Sequence, residues 1–139
     1  MILVDTGPLV ALCDPRDGLN PRALHDLDRA FRDPLILCAP VLTEACFLLP
    51  HAVQRRRLQR MLDQLSVRAY QADDEGRLWG EVFHWLDQYQ EHRPDWTDGY
   101  LAVLSGKDRR LRVWTYDREF RTKWRRPDGT TIPLFARRA

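Results

Sequence analysis

Apolar and polar positions along the chain follow two alternating rhythms. Short runs at Ile2–Val4, Leu35–Cys38, Val67–Tyr70 and Arg112–Thr115 have the length and residue types of strands, and longer stretches with helical spacing separate them. This alternation predicts an α/β protein with a central, mostly parallel sheet of four or five strands, because parallel neighbours need a long crossover and a helix usually supplies it. After the first run, "PLVALCD" reads as a short helix stopped by "DPRDG". "NPRALHDLDRAF" reads as a second, with Asn20 as cap, Pro21 in the first turn and Leu24, Leu27 and Phe31 facing inward. Between Pro40 and Pro50, Val41, Leu42, Ala45, Leu48 and Leu49 recur at helical spacing. "AVQRRRLQRMLDQL" turns Val53, Leu58, Met61, Leu62 and Leu65 inward and its arginines outward. "DDEGRLWGEVFHWLDQYQ" starts with acids, which a helix dipole favours, and carries a stripe of Leu78, Val82, Trp85, Leu86 and Tyr89. A further helix, "DWTDGYLAVLS", stops at Gly106, "LRVWT" runs into "YDREF", and "GTTIPLFARRA" predicts an edge strand limited by Pro133 before a mobile basic tail.

Size and composition narrow the class. With 139 residues, the chain is expected to form a single domain over 1–139. A 44% hydrophobic and 30% charged composition is ordinary for a soluble protein. No apolar run approaches the roughly 20 residues of a membrane span. The start lacks a secretory pattern, so a cytoplasmic location is expected. Cys13, Cys38 and Cys46 form no CxxC pair and read as small hydrophobes in apolar surroundings. His25, His51, His84 and His92 lack metal-ligand spacing, and there is neither a phosphate-binding glycine loop nor a nucleophile elbow. The net charge of +2 does not by itself mark a nucleic-acid binder, but the arginines cluster in "QRRRLQR" and "KWRRP".

The candidate chemistry lies in acids placed at element junctions: Asp5 after the first strand, Glu44 on the helix after the second, Asp98 early on the late helix, and Asp117 after "RVWT". Each also has a purely structural reading. Asp5 or Thr6 can cap a helix, Asp95 and Asp98 can form a capping box, Asp117 can make a turn, and Glu44 can be a solvated helix residue. Together they gain a second meaning, because strand ends in a parallel sheet share one edge, where ligand crevices form. Two like charges about 4 Å apart repel by roughly 4 kcal/mol at an effective dielectric of 20, so converging carboxylates call for a cation. An all-oxygen donor set suits Mg²⁺ or Mn²⁺, and the matching reaction class is phosphodiester hydrolysis by an activated water.

The segments "ILVDTGPLVALCD", "APVLTEACFLL", "DWTDGYLAVLS" and "VWTYDREF", in this order and across essentially the whole chain, resemble the PIN-domain nucleases, and especially the VapC-type toxins of bacterial toxin–antitoxin pairs. The resemblance implies a three-layer α/β/α PIN-like fold and an endoribonuclease whose Mg²⁺ or Mn²⁺ is held by Asp5, Glu44, Asp98 and Asp117, with Asp95 as an outer ligand. Thr6 and Thr115 would orient a carboxylate or water through their hydroxyls. It further implies an RNA substrate, a cognate VapB-type antitoxin that inserts a basic side chain among the acids, and a homodimer. Phosphate contacts are expected from Arg55, Arg56, Arg60, Arg109, Arg110, Lys123 and Arg125, with Trp96 or Trp124 stacking on an unpaired base. Gly99 stands where the family usually has Ala, which predicts a looser helix start. A haloacid-dehalogenase-type phosphatase would need a second acid where Gly7 stands. The remaining alternative is a catalytically weak or inactive PIN-like module that binds RNA or antitoxin.

Overall fold

Every residue of β1 (Ile2–Val4) is buried, with Ile2 and Leu3 fully excluded from solvent. Since successive strand residues point to opposite faces, both faces of the sheet must be covered at this strand, which explains the unbroken apolar run. In this computed structural model, which describes residues 1–30 and 32–136, β1 pairs in parallel with β2 (Leu35–Leu37) on one side and β4 (Arg112–Trp114) on the other. The two-residue β3 (Arg68–Ala69) adds to the far side of β2, and the strand order is β3-β2-β1-β4. The chain thus moves outward from β1 through β2 to β3, then returns to place β4 on the other flank of β1. Strand order reverses between β1 and β4, and a crevice opens outside their carboxyl ends.

The helices are α1 (Thr6–Cys13), α2 (Asn20–Arg29), α3 (Ala39–Leu48), α4 (Ala52–Gln64), α5 (Glu75–Gln88), α6 (Trp96–Lys107) and the single turn α7 (Glu119–Thr122). α6 is apolar around most of its circumference because α5, α3 and β4 all pack on it; Thr97 and the whole run from Gly99 to Ser105 are buried. Trp85, Trp114, Trp124 and Phe120 are the largest fully buried side chains. No helix among the described residues is long and apolar enough to cross a membrane.

The strands and long helices follow the sequence pattern, while several inward-facing assignments do not. Leu24 is 49% exposed, and α2 instead buries Ala23 and Asp26. Leu42, Leu48 and Val53 are exposed as well, because α3 and α4 each bury only one narrow face. Asn20 is the first helical residue rather than the cap, and its amide donates to the Ala11 carbonyl at 2.7 Å, tying α2 to α1. The expected C-terminal strand is reduced to isolated bridges: Val113 N–H donates to Pro133 O and Phe135 N–H to Val113 O, placing Leu134 alongside β4 in parallel. Cys13 and Cys38 are buried and Cys46 half-buried; burial pushes the first two thiols up to about 11 and about 12. The expectations for Phe31 and the basic tail at 137–139 fall outside the described residues.

Gly99 has a packing reason. A Cβ there would stand 3.1 Å from both Trp85 Cε3 and Val82 Cγ1 and 3.2 Å from Leu86 Cδ2, so the glycine allows α5 and α6 their close approach. Trp85 and Val82 are themselves fully buried and have no room to retreat. Gly99→Ala therefore sets a helix-propensity gain of about 1 kcal/mol against overpacking of about 1–3 kcal/mol, and the overpacking wins. The expected outcome is a melting temperature lowered by several degrees in a thermal scan; an unchanged or raised value contradicts the close-approach account.

Candidate active site

The crevice at the β1–β4 switch point is built by threonines. Asp5 follows β1, and its N–H donates to Trp114 O at 2.9 Å, extending the β1–β4 ladder to the sheet edge. At the cap position of α1, its Oδ1 accepts from Thr6 N–H at 2.7 Å, while Oδ2 accepts from Thr115 Oγ1 at 2.7 Å. The Thr115 hydroxyl in turn accepts from Asp117 N–H at 3.0 Å, fixing the turn that carries Asp117. Thr6 Oγ1 donates to Glu44 Oε2 at 2.8 Å, and Thr97 Oγ1 donates to Glu44 Oε1 at 2.6 Å. Hydroxyls thus join the end of β4, the start of α1, the middle of α3 and the first turn of α6. On α6, Asp95 and Asp98 form a reciprocal capping box: Asp98 N–H donates to Asp95 Oδ1 at 2.8 Å and Asp95 N–H to Asp98 Oδ2 at 3.1 Å.

Thr6 and Thr115 each donate a hydroxyl hydrogen bond to a carboxylate, Glu44 and Asp5 respectively. Thr97 was missed; its only signal was its place on the buried face of α6, one turn before Leu101. The acids are connected rather than drawn into a tight group: among the described residues, no three His, Cys, Asp or Glu side chains come close enough together to hold a metal ion. None of the ion pairs among these residues involves Asp5, Glu44, Asp95, Asp98 or Asp117, so no arginine or lysine neutralises them in that way.

Two solved structures share this architecture. VapC20 from Mycobacterium tuberculosis, a Sarcin-Ricin loop cleaving toxin, matches with a TM-score of 0.68 at 21% identity over 88% of this chain and 94% of its own. FitAcB from Neisseria gonorrhoeae matches with a TM-score of 0.57 at 20% identity over 85% of this chain and 88% of its own. The fold is PIN-like, the one these two structures share. At these identities the likeness is one of fold, and no family model and no curated relative matches the sequence.

Within this PIN fold the acids carry an electrostatic load. Desolvation, opposed by the Thr115 and Thr6 hydrogen bonds and reinforced by Glu44 and Asp117, pushes the Asp5 carboxyl up to about 6. Burial first, then the charges of Asp95, Asp5 and Asp117, push Asp98 up to about 8. Asp98 thus senses Asp5 and Asp117 across the crevice, and Asp5 senses Glu44 and Asp117. The donors are all oxygen and none is ion-paired, the ligand type a hard divalent ion prefers, but they do not converge on one point among the described residues.

The expected RNA contacts scatter. Arg55 donates to the Leu49 and Cys46 carbonyls, closing the C-terminal end of α3. Arg56 and Arg60 are exposed on α4. Arg109 and Arg110 precede β4 and so lie at the amino edge of the parallel sheet, opposite the acids, with Arg110 paired to Asp108 at 3.0 Å. Lys123 reaches Glu119 at 3.8 Å, and Arg125 donates to its neighbouring Trp124 carbonyl. Trp124 is fully buried against Trp85 and Tyr89 and cannot stack on a base. Trp96 is half-buried, with Phe83 and Tyr100 as ring neighbours.

A raised carboxyl pKa penalises the folded state once the group ionises. For Asp98 the folded state holds its proton up to about pH 8, whereas an unfolded aspartate releases it near pH 4, so stability is full below that lower value and is lost as pH rises through the folded one. In chelator, the melting temperature is expected to fall between about pH 5 and pH 8.5, and Asp98→Asn, which keeps an acceptor for the Asp95 N–H, is expected to raise it and flatten that slope. An Asp98→Asn protein that melts lower than wild type at pH 8 contradicts the charge penalty.

Proposed function

We propose that the protein is a metal-dependent endoribonuclease, the toxin of a type II toxin–antitoxin pair. The observation that carries this reading is the threonine-linked set of acids at the β1–β4 switch point, unpaired with any cation. The fold shared with an RNA-cleaving toxin supports it. Asp5, Glu44, Asp98 and Asp117 are the residues that would hold Mg²⁺ or Mn²⁺, with Asp95 as an outer ligand. When bound, such an ion lowers the pKa of a coordinated water and offsets charge developing on the phosphate. The chain's own contribution is orientation. Thr115 fixes Asp5 and the Asp117 turn, and Thr6 and Thr97 each take one oxygen of Glu44, so the carboxylate planes are set before substrate arrives.

The surface supports a proposal about partners. Phe47 is 80% exposed and Leu48 and Val53 more than half exposed where α3 meets α4, and Phe83 and Trp79 are exposed on α5. Large apolar side chains left in water support burial against other chains. We assign these surfaces to a second copy of the protein and to a cognate VapB-type antitoxin. The setting for this role is the cytoplasm.

Purified protein freed of antitoxin is expected to cleave single-stranded RNA in Mg²⁺ or Mn²⁺ and to lose that activity in EDTA. Asp5→Asn and Asp98→Asn are expected to abolish cleavage on a denaturing gel, and Thr97→Val to reduce it about 10–100-fold, the usual cost of losing a group that orients a metal ligand. A wild type that cleaves nothing, or an Asp98→Asn protein that cleaves as well as wild type, would leave an inactive RNA- or antitoxin-binding module as the reading.

A further inference from the structure

Beside the acids lies a second feature of opposite charge. A cleft of about 240 Å³ shares Thr115 and Asp117 with the candidate active site and is walled by Arg22, Arg118, Arg121, Tyr116, Leu134 and Phe135. Its tyrosine is held firmly. The Tyr116 hydroxyl donates to Asp26 Oδ2 at 2.8 Å and accepts from Trp114 Nε1 at 3.2 Å, and the Arg22 guanidinium carbon stands 4.5 Å from the ring centroid. Asp26 is 1% exposed, an acid buried in the middle of α2. It explains why α2 turns a carboxylate inward: the acid anchors the aromatic wall of this cleft.

Arg22 shares in that anchor through a long ion pair, Nε to Asp26 Oδ2 at 3.8 Å, yet this buried Nε has no hydrogen-bond partner among the described residues. The Arg118 and Arg121 side chains, three residues apart and both exposed, take part in none of the hydrogen bonds or ion pairs among these residues. Three guanidinium groups around one small cleft suit a phosphate, which the planar fork binds through paired hydrogen bonds. Leu134, Phe135 and the Tyr116 ring add an apolar lining of the kind a ribose or base packs against.

We propose that this cleft is a subsite for a backbone phosphate of single-stranded RNA, next to the phosphate that is cut. The proposal rests on the ribonuclease reading above and gives its substrate a direction: the strand runs from the acids over Thr115 and Asp117 toward α7. It also answers an electrostatic difficulty. The acid set repels a polyanion, and the arginine cleft supplies attraction one residue along the chain from Asp117.

The test measures binding apart from cleavage. A fluorescent single-stranded oligoribonucleotide is titrated, in Mg²⁺ and at several salt concentrations, into Asp98→Asn protein with and without Arg118→Ala and Arg121→Ala. Loss of both guanidinium groups is expected to raise Kd about tenfold or more and to make the slope of log K against log salt shallower by about 1.4, two contacts at about 0.7 each. Lysine at both positions is expected to keep the salt slope, and Arg16→Ala, beyond the far end of α1, to change neither quantity. In the Asp98-intact protein the double alanine variant is expected to raise KM while kcat stays near wild type. RNA that binds through these arginines but is never cleaved overturns the ribonuclease reading and leaves the cleft standing as a phosphate site for bound RNA. Cleavage with KM and salt slope indifferent to both substitutions overturns the subsite and leaves the ribonuclease. Absence of RNA binding altogether also overturns the subsite.

Discussion

The hydrogen bond from Thr115 Oγ1 to Asp5 Oδ2 joins the ends of the two strands between which the sheet changes direction. A half-buried carboxylate at this edge has lost much of its water, and two donors from the protein, the Thr115 hydroxyl and the Thr6 N–H, replace part of it. Replacement is incomplete, as the Asp5 carboxyl pushed up to about 6 records. The same economy recurs at Glu44, where Thr6 and Thr97 serve one oxygen each. Hydroxyls orient a carboxylate without cancelling its charge, which an arginine would do. The divalent cation proposed above would need that distinction.

The fold serves this arrangement by rigidity. The Asp5 N–H to Trp114 O bond carries the parallel ladder to the last residue before the site, so Asp5 and Thr115 inherit the register of β1 and β4. α6 brings Asp98 and Thr97 to the edge while burying most of its own surface, and the Gly99 contact lets α5 press close behind it. Glycine at this place is therefore a fit to Trp85, Val82 and Leu86 rather than a weakness in the helix. The penalty of gathering acids remains stored in Asp98, pushed up to about 8 mainly by burial and then by its charged neighbours.

The strands and long helices could be read from periodicity because apolar runs and caps are local signals. The acids were visible as residues at element junctions, and Thr6 and Thr115 stood beside two of them. Thr97 was not legible, since its partner is 53 residues away on another helix. The exposed Leu24, Leu42, Leu48 and Val53 show the complementary limit: spacing marks an apolar face but does not say whether this chain or another molecule covers it. Trp124 and Arg55 err in the opposite direction, side chains suited to RNA that the fold instead uses for its core and for closing a helix end. Asp26 carried no signal in the sequence, because a buried acid is recognised by Tyr116, 90 residues away.

The proposal most in need of a test is that the crevice acids, oriented by threonine hydroxyls, bind a divalent ion although they form no tight group among the described residues. Titration of Mn²⁺ followed by electron spin resonance tests it without any substrate. Wild-type protein is expected to remove free Mn²⁺ signal saturably, Glu44→Gln to bind much more weakly, and a Thr6→Val, Thr97→Val protein, its acids all intact, to lose about tenfold or more in affinity. Equal Mn²⁺ affinity in all three proteins, or none in the wild type, would contradict the account.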